Sequence, residues 1–305
     1  MEDQAEKLRE IMRQKKTTKT PGGAQSSDKN DSAASGDGRN KKTRIITVTS
    51  GKGGVGKTNL SVNMALAYAR LGKKVVVMDA DLGLANVNVM LDIIPKYNLY
   101  HVIKKQKTIR EILAETEYGI SIIAGASGFS QITNMSERER QEFINELDAL
   151  SFADIIIIDT SAGVSSNVLD FIAGADDAII ITTPEPTAIA DAYGIIKIIA
   201  TKYEPINMEI KLVVNRAKGA VQAKSVAERM INVAGQHLYI KVDYLGFIYD
   251  DPAVSSAVLM QKPFMVTDPK CKASICIQHL VERMDKNKIA KHRGVSTAFR
   301  KLFGR

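Results

Sequence analysis

Cysteine is nearly missing from this sequence of 305 residues, which holds only Cys271 and Cys276. Five helical steps of about 100° would set these side chains about 140° apart, too divergent for one metal ion or a disulfide. They read as ordinary thiols of a reducing compartment. Missing too is any stretch of the ~20 uncharged apolar residues that a membrane-spanning helix needs. The opening Met1-Glu2-Asp3-Gln4 is acidic and polar, unlike a secretion signal, so a cytoplasmic location is expected. The four histidines, His101, His237, His279 and His292, form no spacing that suggests metal or base chemistry. There is no internal repeat.

What is present suits one α/β domain with tails. A hydrophobic share of 45% is ample for a large core, and a charged share of 25% is ordinary. The formal net charge of +8 is unevenly spread. Residues 1–44 hold 11 Lys/Arg against 7 Asp/Glu, residues 285–305 hold 7 against 1, and the stretch between them holds 24 against 26. The basicity therefore lies in the tails. A DNA-coating protein would carry a positive face on its globular part. The split favours an anionic membrane or a protein partner, and makes DNA an unlikely one.

Residues 1–16 pattern as a short amphipathic helix, with Met1, Ala5, Leu8, Ile11 and Met12 on one stripe. A helix of that length is marginal alone in water and would fold on a partner. Residues 17–42 turn to Gly, Ser, Asp, Asn and Lys and read as a flexible linker. From residue 43 to 284 apolar strands alternate with helices. Strands are expected at 45–49, 74–78, 120–123, 154–158, 178–182, 210–214 and 244–248, and helices at 59–71, 137–150, 188–203, 220–238 and 273–284. Most of the strands are continuous apolar runs, as parallel strands buried on both faces are. The expected fold class is α/β, a mostly parallel twisted sheet of about seven or eight strands with helices on both faces.

Gly51-Lys52-Gly53-Gly54-Val55-Gly56-Lys57-Thr58 satisfies every fixed position of G-x-x-x-x-G-K-[ST], and it follows an apolar strand and opens a helix. Glycines let the backbone wrap a phosphate with its N–H groups inward, and the helix start adds the positive end of a dipole. Lys57 would bridge the terminal phosphates of ATP, and the Thr58 hydroxyl would bind Mg²⁺. Asn59 follows in the first turn. Lys52 is not needed to cradle its own nucleotide, and at the loop's rim it could reach that of a facing subunit. Asp79 and Asp81 end one apolar strand and Asp159 ends another, at the carboxyl edge where α/β sites gather. One carboxylate there could polarise an attacking water, while Asp79 and Asp159 support Mg²⁺ beside Thr58. Gly163 permits a loop that follows the γ-phosphate.

The lysine pair Lys52/Lys57, together with Asp79-Ala80-Asp81-Leu82-Gly83-Leu84-Ala85-Asn86, resembles the MinD/ParA class of deviant-Walker ATPases. The resemblance covers residues 43–305. It implies a MinD-like P-loop NTPase of the SIMIBI group, ATP hydrolysis with Mg²⁺, and an ATP-dependent homodimer in which Lys52 crosses over. It also implies that Asp81 orients the hydrolytic water, with Asp79 beside it and Asp159 as the Walker B carboxylate. Asn215 of Val213-Val214-Asn215-Arg216 matches the adenine-reading asparagine, and Asp251-Pro252 the loop closing over the base. The chain departs from the pattern at Asp159-Thr160-Ser161-Ala162-Gly163, where such proteins commonly place a proline.

The tails narrow the resemblance. On a helical wheel Val295, Ala298, Phe299, Leu302 and Phe303 occupy an arc of about 140°, with Arg300, Lys301 and Arg305 outside it. Such a segment suits insertion into anionic headgroups, and two copies in a dimer gain avidity. The competing expectation is a final helix packed onto the core; the basic stretch before it favours the membrane. Asp3-Gln4-Ala5-Glu6-Lys7-Leu8-Arg9 resembles the D-Q-A-x-x-L-R element of the FlhG family of MinD-like flagellar regulators. That resemblance implies stimulation of the signal-recognition-type GTPase FlhF, with Gln4 activating and Leu8 and Arg9 docking. It further implies contacts with cytoplasmic C-ring proteins of the flagellar switch. One copy of the C-terminal segment should bind weakly and two together more tightly, so residence at the membrane is expected of the ATP-bound dimer. A MinD-type septum regulator and a ParA-type DNA partition ATPase are the alternatives.

Overall fold

In a computed structural model the described residues are 43–81, 86–125, 136–203, 208–286 and 294–303. The expectations on residues 1–16, Gln4, Leu8 and Arg9 included, and on the linker 17–42 lie outside them.

Among the described residues eight strands form one sheet: β1 (Arg44–Ser50), β2 (Val75–Ala80), β3 (Ala114–Glu115), β4 (Ser121–Ile123), β5 (Ile155–Ala162), β6 (Asp177–Thr182), β7 (Glu209–Ala217) and β8 (Asp243–Tyr249). Their order is β3-β4-β2-β5-β1-β6-β7-β8. All neighbours are parallel except the short β3, which runs antiparallel to β4. The expected fold class holds; the strand not foreseen is the two-residue β3, too short to carry a pattern.

The helices are α1 (Lys57–Arg70), α2 (Asn86–Met90), α3 (Leu99–Ile103), α4 (Glu137–Leu147), α5 (Ser166–Gly174), α6 (Pro186–Lys202), α7 (Ala220–Leu238), α8 (Pro252–Leu259), α9 (Phe264–Thr267), α10 (Lys272–Lys286) and α11 (Val295–Phe303). Because successive strand residues point to opposite faces, the apolar runs feed two layers at once. Ile46, Val77 and Ile157 pack with Leu60, Met64 and Tyr68 of α1 and Ile277 and Leu280 of α10. Their neighbours Ile45, Val76 and Ile156 pack on the other side with Phe143 and Leu147 of α4 and Phe171 of α5.

At the opposite edge from the P-loop, Arg44 donates from Nε and Nη2 to Asp177 at 2.6 and 2.9 Å, and from Nη1 to the carbonyl of Met284 at 2.8 Å. Lys211 lies 3.6 Å from the same carboxylate. Asp177 is 2% exposed, so its removal leaves the buried Arg44 guanidinium without its carboxylate and Lys211 with Glu209 alone. Asp177→Ala should therefore lower unfolding free energy by about 3–5 kcal/mol. Chemical denaturation measures this directly, and a loss under about 1 kcal/mol would contradict it.

The C-terminal helix differs from the favoured expectation. Val295, Ala298 and Phe299 are 2%, 1% and 0% exposed and belong to the apolar layer formed by α4 and α5. The part of the expected lipid-facing stripe formed by Val295, Ala298 and Phe299 is here covered by the protein itself, because a surface that suits acyl chains suits Phe143 and Leu147 equally well. Burying two large side chains is worth about 3–6 kcal/mol gross. The side chains of Leu302 and Phe303 fall outside the described residues.

Candidate functional site

The P-loop connects β1 to α1 at the carboxyl edge of the central strands. Gly54 and Gly56 adopt φ of 74° and 102°, a region that L side chains avoid. Gly56 also has no room for a side chain: a Cβ there would lie 2.4 Å from Nδ2 of Asn215. One built on Gly51 would lie 2.4 Å from the backbone of Asp191 in α6. The first turn of α1 holds no acidic residue and no side-chain cap, so its N–H groups and dipole remain available to an anion.

A cavity of about 780 Å³ opens over this loop, within the range of small-ligand sites. Gly53, Gly54, Gly56, Lys57, Thr58 and Asn59 line its phosphate end. Asn215, Arg216, Asp250, Asp251 and Val254 line the other. Arg216 holds φ of 54°, a strained backbone for a residue with a side chain. Asn215 donates from Nδ2 to the carbonyl of Val55 at 2.7 Å, so the residue expected to read adenine also fastens the phosphate loop. Gly51 and Val55 support the loop without lining the cavity. Pro252 likewise begins α8, and the cavity wall beside it comes from Asp250, Asp251 and Val254. Asp251 caps α8 through Ala253 N–H at 3.0 Å and accepts from Ala273 N–H of α10 at 3.1 Å.

The carboxylates converge as the strand register requires, Asp79 lying opposite Asp159 across β2 and β5. Asp159 accepts from the hydroxyls of Thr58 and Ser61 at 2.6 and 3.0 Å. Asp79 accepts from the N–H groups of Asp81 and Val87 at 3.0 and 3.1 Å, which makes it the fastener of the segment after β2 as well as a charge near the metal position. Asp81 lines the cavity and accepts from Nδ2 of Asn86 at 3.2 Å. Lys57 is 9% exposed, and desolvation lowers its pKa against the opposing pull of Asp159 and Asp81.

Burial raises Asp159 to about 6, against the hydroxyl bonds and Lys57. Burial, then repulsion from Asp159, raises Asp79 to about 7. Two desolvated carboxylates beside a hydroxyl fit a divalent cation. They form no protein-only cage, and among the described residues no group of three or more potential ligands occurs. That matches Mg²⁺, which takes one or two carboxylates and completes its shell with phosphate and water. When bound, the ion would neutralise charge developing on the transferred phosphoryl group.

The folded protein retains protons on these acids that the unfolded chain has released, so their contribution to stability falls as pH rises from about 4 to 7. Ligand-free Asp159→Asn should be more stable than the parent at pH 8, by on the order of 2 kcal/mol, and no more stable near pH 4. Thermal unfolding across that range tests this; equal stability at pH 8 would contradict it.

Lys52 does not line the cavity. Its Nζ donates to Glu185 Oε2 at 2.8 Å and to the Thr187 hydroxyl at 2.9 Å, at the start of α6. Neither partner was foreseen from the sequence, nor was Ser61, and Asn86 entered only as the end of the family motif with no role given to it. Where the family pattern expects proline after Asp159, β5 continues through Thr160 and Ser161 to Ala162, and Gly163, at φ of 94°, donates its N–H to the carbonyl of Ser50 at 2.9 Å.

Residues 46–264 match the CobQ/CobB/MinD/ParA nucleotide binding domain. The chain is 34% identical over 243 residues to the antiactivator FleN of Pseudomonas aeruginosa, covering 79% of this chain and 86% of FleN. It is 36% identical over 222 residues to the flagellum site-determining protein YlxH of Helicobacter pylori, covering 72% and 74%. The cell division ATPase MinD of Pyrococcus furiosus shares the fold with a TM-score of 0.65 at 25% identity, covering 80% of this chain and 98% of that one. A P-loop ahead of three gathered carboxylates, in a chain this similar to FleN and YlxH over most of its length, makes it a member of the MinD/ParA family on the FleN/YlxH branch, an ATPase that uses ATP with Mg²⁺.

Proposed function

We propose that the chain is an ATP-operated switch governing flagellar number and placement. The observation that carries this reading is the separation of the two P-loop lysines. Lys57 lies inside the nucleotide cavity, whereas Lys52 stands outside it and is held by Glu185 and Thr187. An exposed pair of this kind is worth little and exchanges readily. Lys52 is thus available to a nucleotide presented by a second copy. ATP held by Gly53–Thr58 would then join two subunits, and Asp81 would orient the water that ends the state. The similarity to FleN and YlxH directs the switch to flagella.

Two outputs complete the proposal. The docked α11 keeps its apolar stripe from lipid in one subunit, and its release on dimerisation would present two anionic-membrane anchors together. The N-terminal element carries Gln4 as the activating residue toward FlhF, with Leu8 and Arg9 docking it, and C-ring proteins of the flagellar switch are further partners. A peptide of residues 1–16 mixed with FlhF should raise its rate of GTP hydrolysis, and the same peptide with Gln4→Ala should not. No stimulation by the parent peptide would remove FlhF from the account.

A further inference from the structure

A basic, aromatic corner around α3, anchored to the core through Leu99, Val102 and part of Tyr97, is not used by the nucleotide site. The ammonium groups of Lys96 and Lys107 lie 5.3 and 4.7 Å from the Tyr97 ring centroid, and that of Lys104 lies 5.7 Å from Tyr100. Lys107 is paired with Glu111 and Lys105 with Glu142. Lys96 and Lys104 are exposed, and among the described residues no carboxylate pairs with them. Two positions before Lys96, Ile94 is 96% exposed. A lone surface isoleucine carries no meaning. An isoleucine projecting beside two unpaired lysines and two half-buried tyrosines is the composition of a lipid interface.

Resting on the membrane reading above, we propose that this corner is a second contact for an anionic phospholipid bilayer. Ile94 enters the acyl boundary, while Lys96, Lys104 and the two tyrosines meet the phosphate level. Nucleic acid offers the same charge but fits less well. The isoleucine would gain nothing from it, and both tyrosine rings already carry ammonium groups, which compete with base stacking. The placement is also apt. Leu99 and Val102 of α3 share an apolar layer with Val295 and Phe299 of the docked α11, so α3 borders the place from which α11 would be released. Leu99 donates its N–H to the carbonyl of Ala124 at 3.2 Å, which ties α3 to the core independently of α11. The corner would orient a subunit that α11 alone would only tether.

The test uses the full chain with ATP and Mg²⁺ and vesicles of phosphatidylcholine with or without phosphatidylglycerol. The triple variant Ile94→Ser/Lys96→Glu/Lys104→Glu should bind phosphatidylglycerol vesicles at least about ten-fold more weakly, since each lysine near an anionic surface contributes appreciably. Its ATP-dependent change in mass should match the parent's. Equal vesicle binding by parent and variant overturns the second contact and leaves the membrane reading intact. No binding by the parent overturns both. Loss of single-stranded RNA binding in the variant, with vesicle binding unchanged, would reassign the corner to nucleic acid and overturn the proposal.

Discussion

Lys57→Ala is expected to weaken ATP binding by on the order of 10²–10³-fold, enough to abolish it at ordinary concentrations. The side chain is nearly buried, and desolvation raises the free energy of its charge. Asp159 and Asp81 hold that charge in place, and a triphosphate brought against it gains a close ionic partner in a region of low dielectric. Removing the amine also leaves Asp159 and Asp79 facing the phosphates with less positive charge between them. The loss should therefore exceed that of one surface ion pair. Calorimetric titration with ATP and Mg²⁺ measures it; retention of the parent's affinity would contradict the P-loop assignment. Chain stability should change much less, because the apolar layers pack without this amine.

Asp81→Ala should separate binding from turnover. Asp81 stands at the cavity wall, held by Asn86, while the Asp79 carboxylate beside it is engaged by two backbone N–H groups. Asp81 is thus the carboxylate better placed to orient an attacking water, and loss of a general base typically costs 10²–10⁴-fold in rate, as order of magnitude. ATP affinity should survive, and the variant should accumulate as an ATP-bound dimer. Phosphate release and particle mass, read together, check both halves. A variant that stays monomeric with ATP, or hydrolyses at the parent's rate, would contradict this role.

Much of this architecture was legible in the sequence, because the features that specify it are local. The runs at β1, β5 and β6 are apolar on both faces, which only a doubly covered parallel sheet accommodates. The P-loop was legible because Gly54 and Gly56 need conformations that other residues resist. The unforeseen parts come from distant pairings. The contact between Lys52 and Glu185 joins positions 133 apart, and neither residue carries a pattern that names the other. Ser61 looked like an ordinary helix residue until its hydroxyl met Asp159. The packing of α11 was illegible for another reason: an amphipathic stripe records that it will be buried, but not whether by lipid or by α4 and α5.

Two of the sequence assignments acquire different physical roles in the folded chain. Asn215 is bonded to Val55, so displacing it toward a base would loosen the loop that holds the phosphates. The residue expected to read the base and the loop expected to hold the phosphates are thus joined by one amide. Asp251 performs a similar duty on the far wall, where one carboxylate holds the starts of both α8 and α10.

In the proposed switch ATP joins two copies through the loop at Gly53–Thr58, and Lys52 leaves Glu185 to reach the facing nucleotide. Sedimentation equilibrium of the full chain, with and without ATP and Mg²⁺, tests this most directly. The mass should double with the nucleotide and return to that of one subunit as ATP is consumed. A mass indifferent to ATP and Mg²⁺ would contradict it.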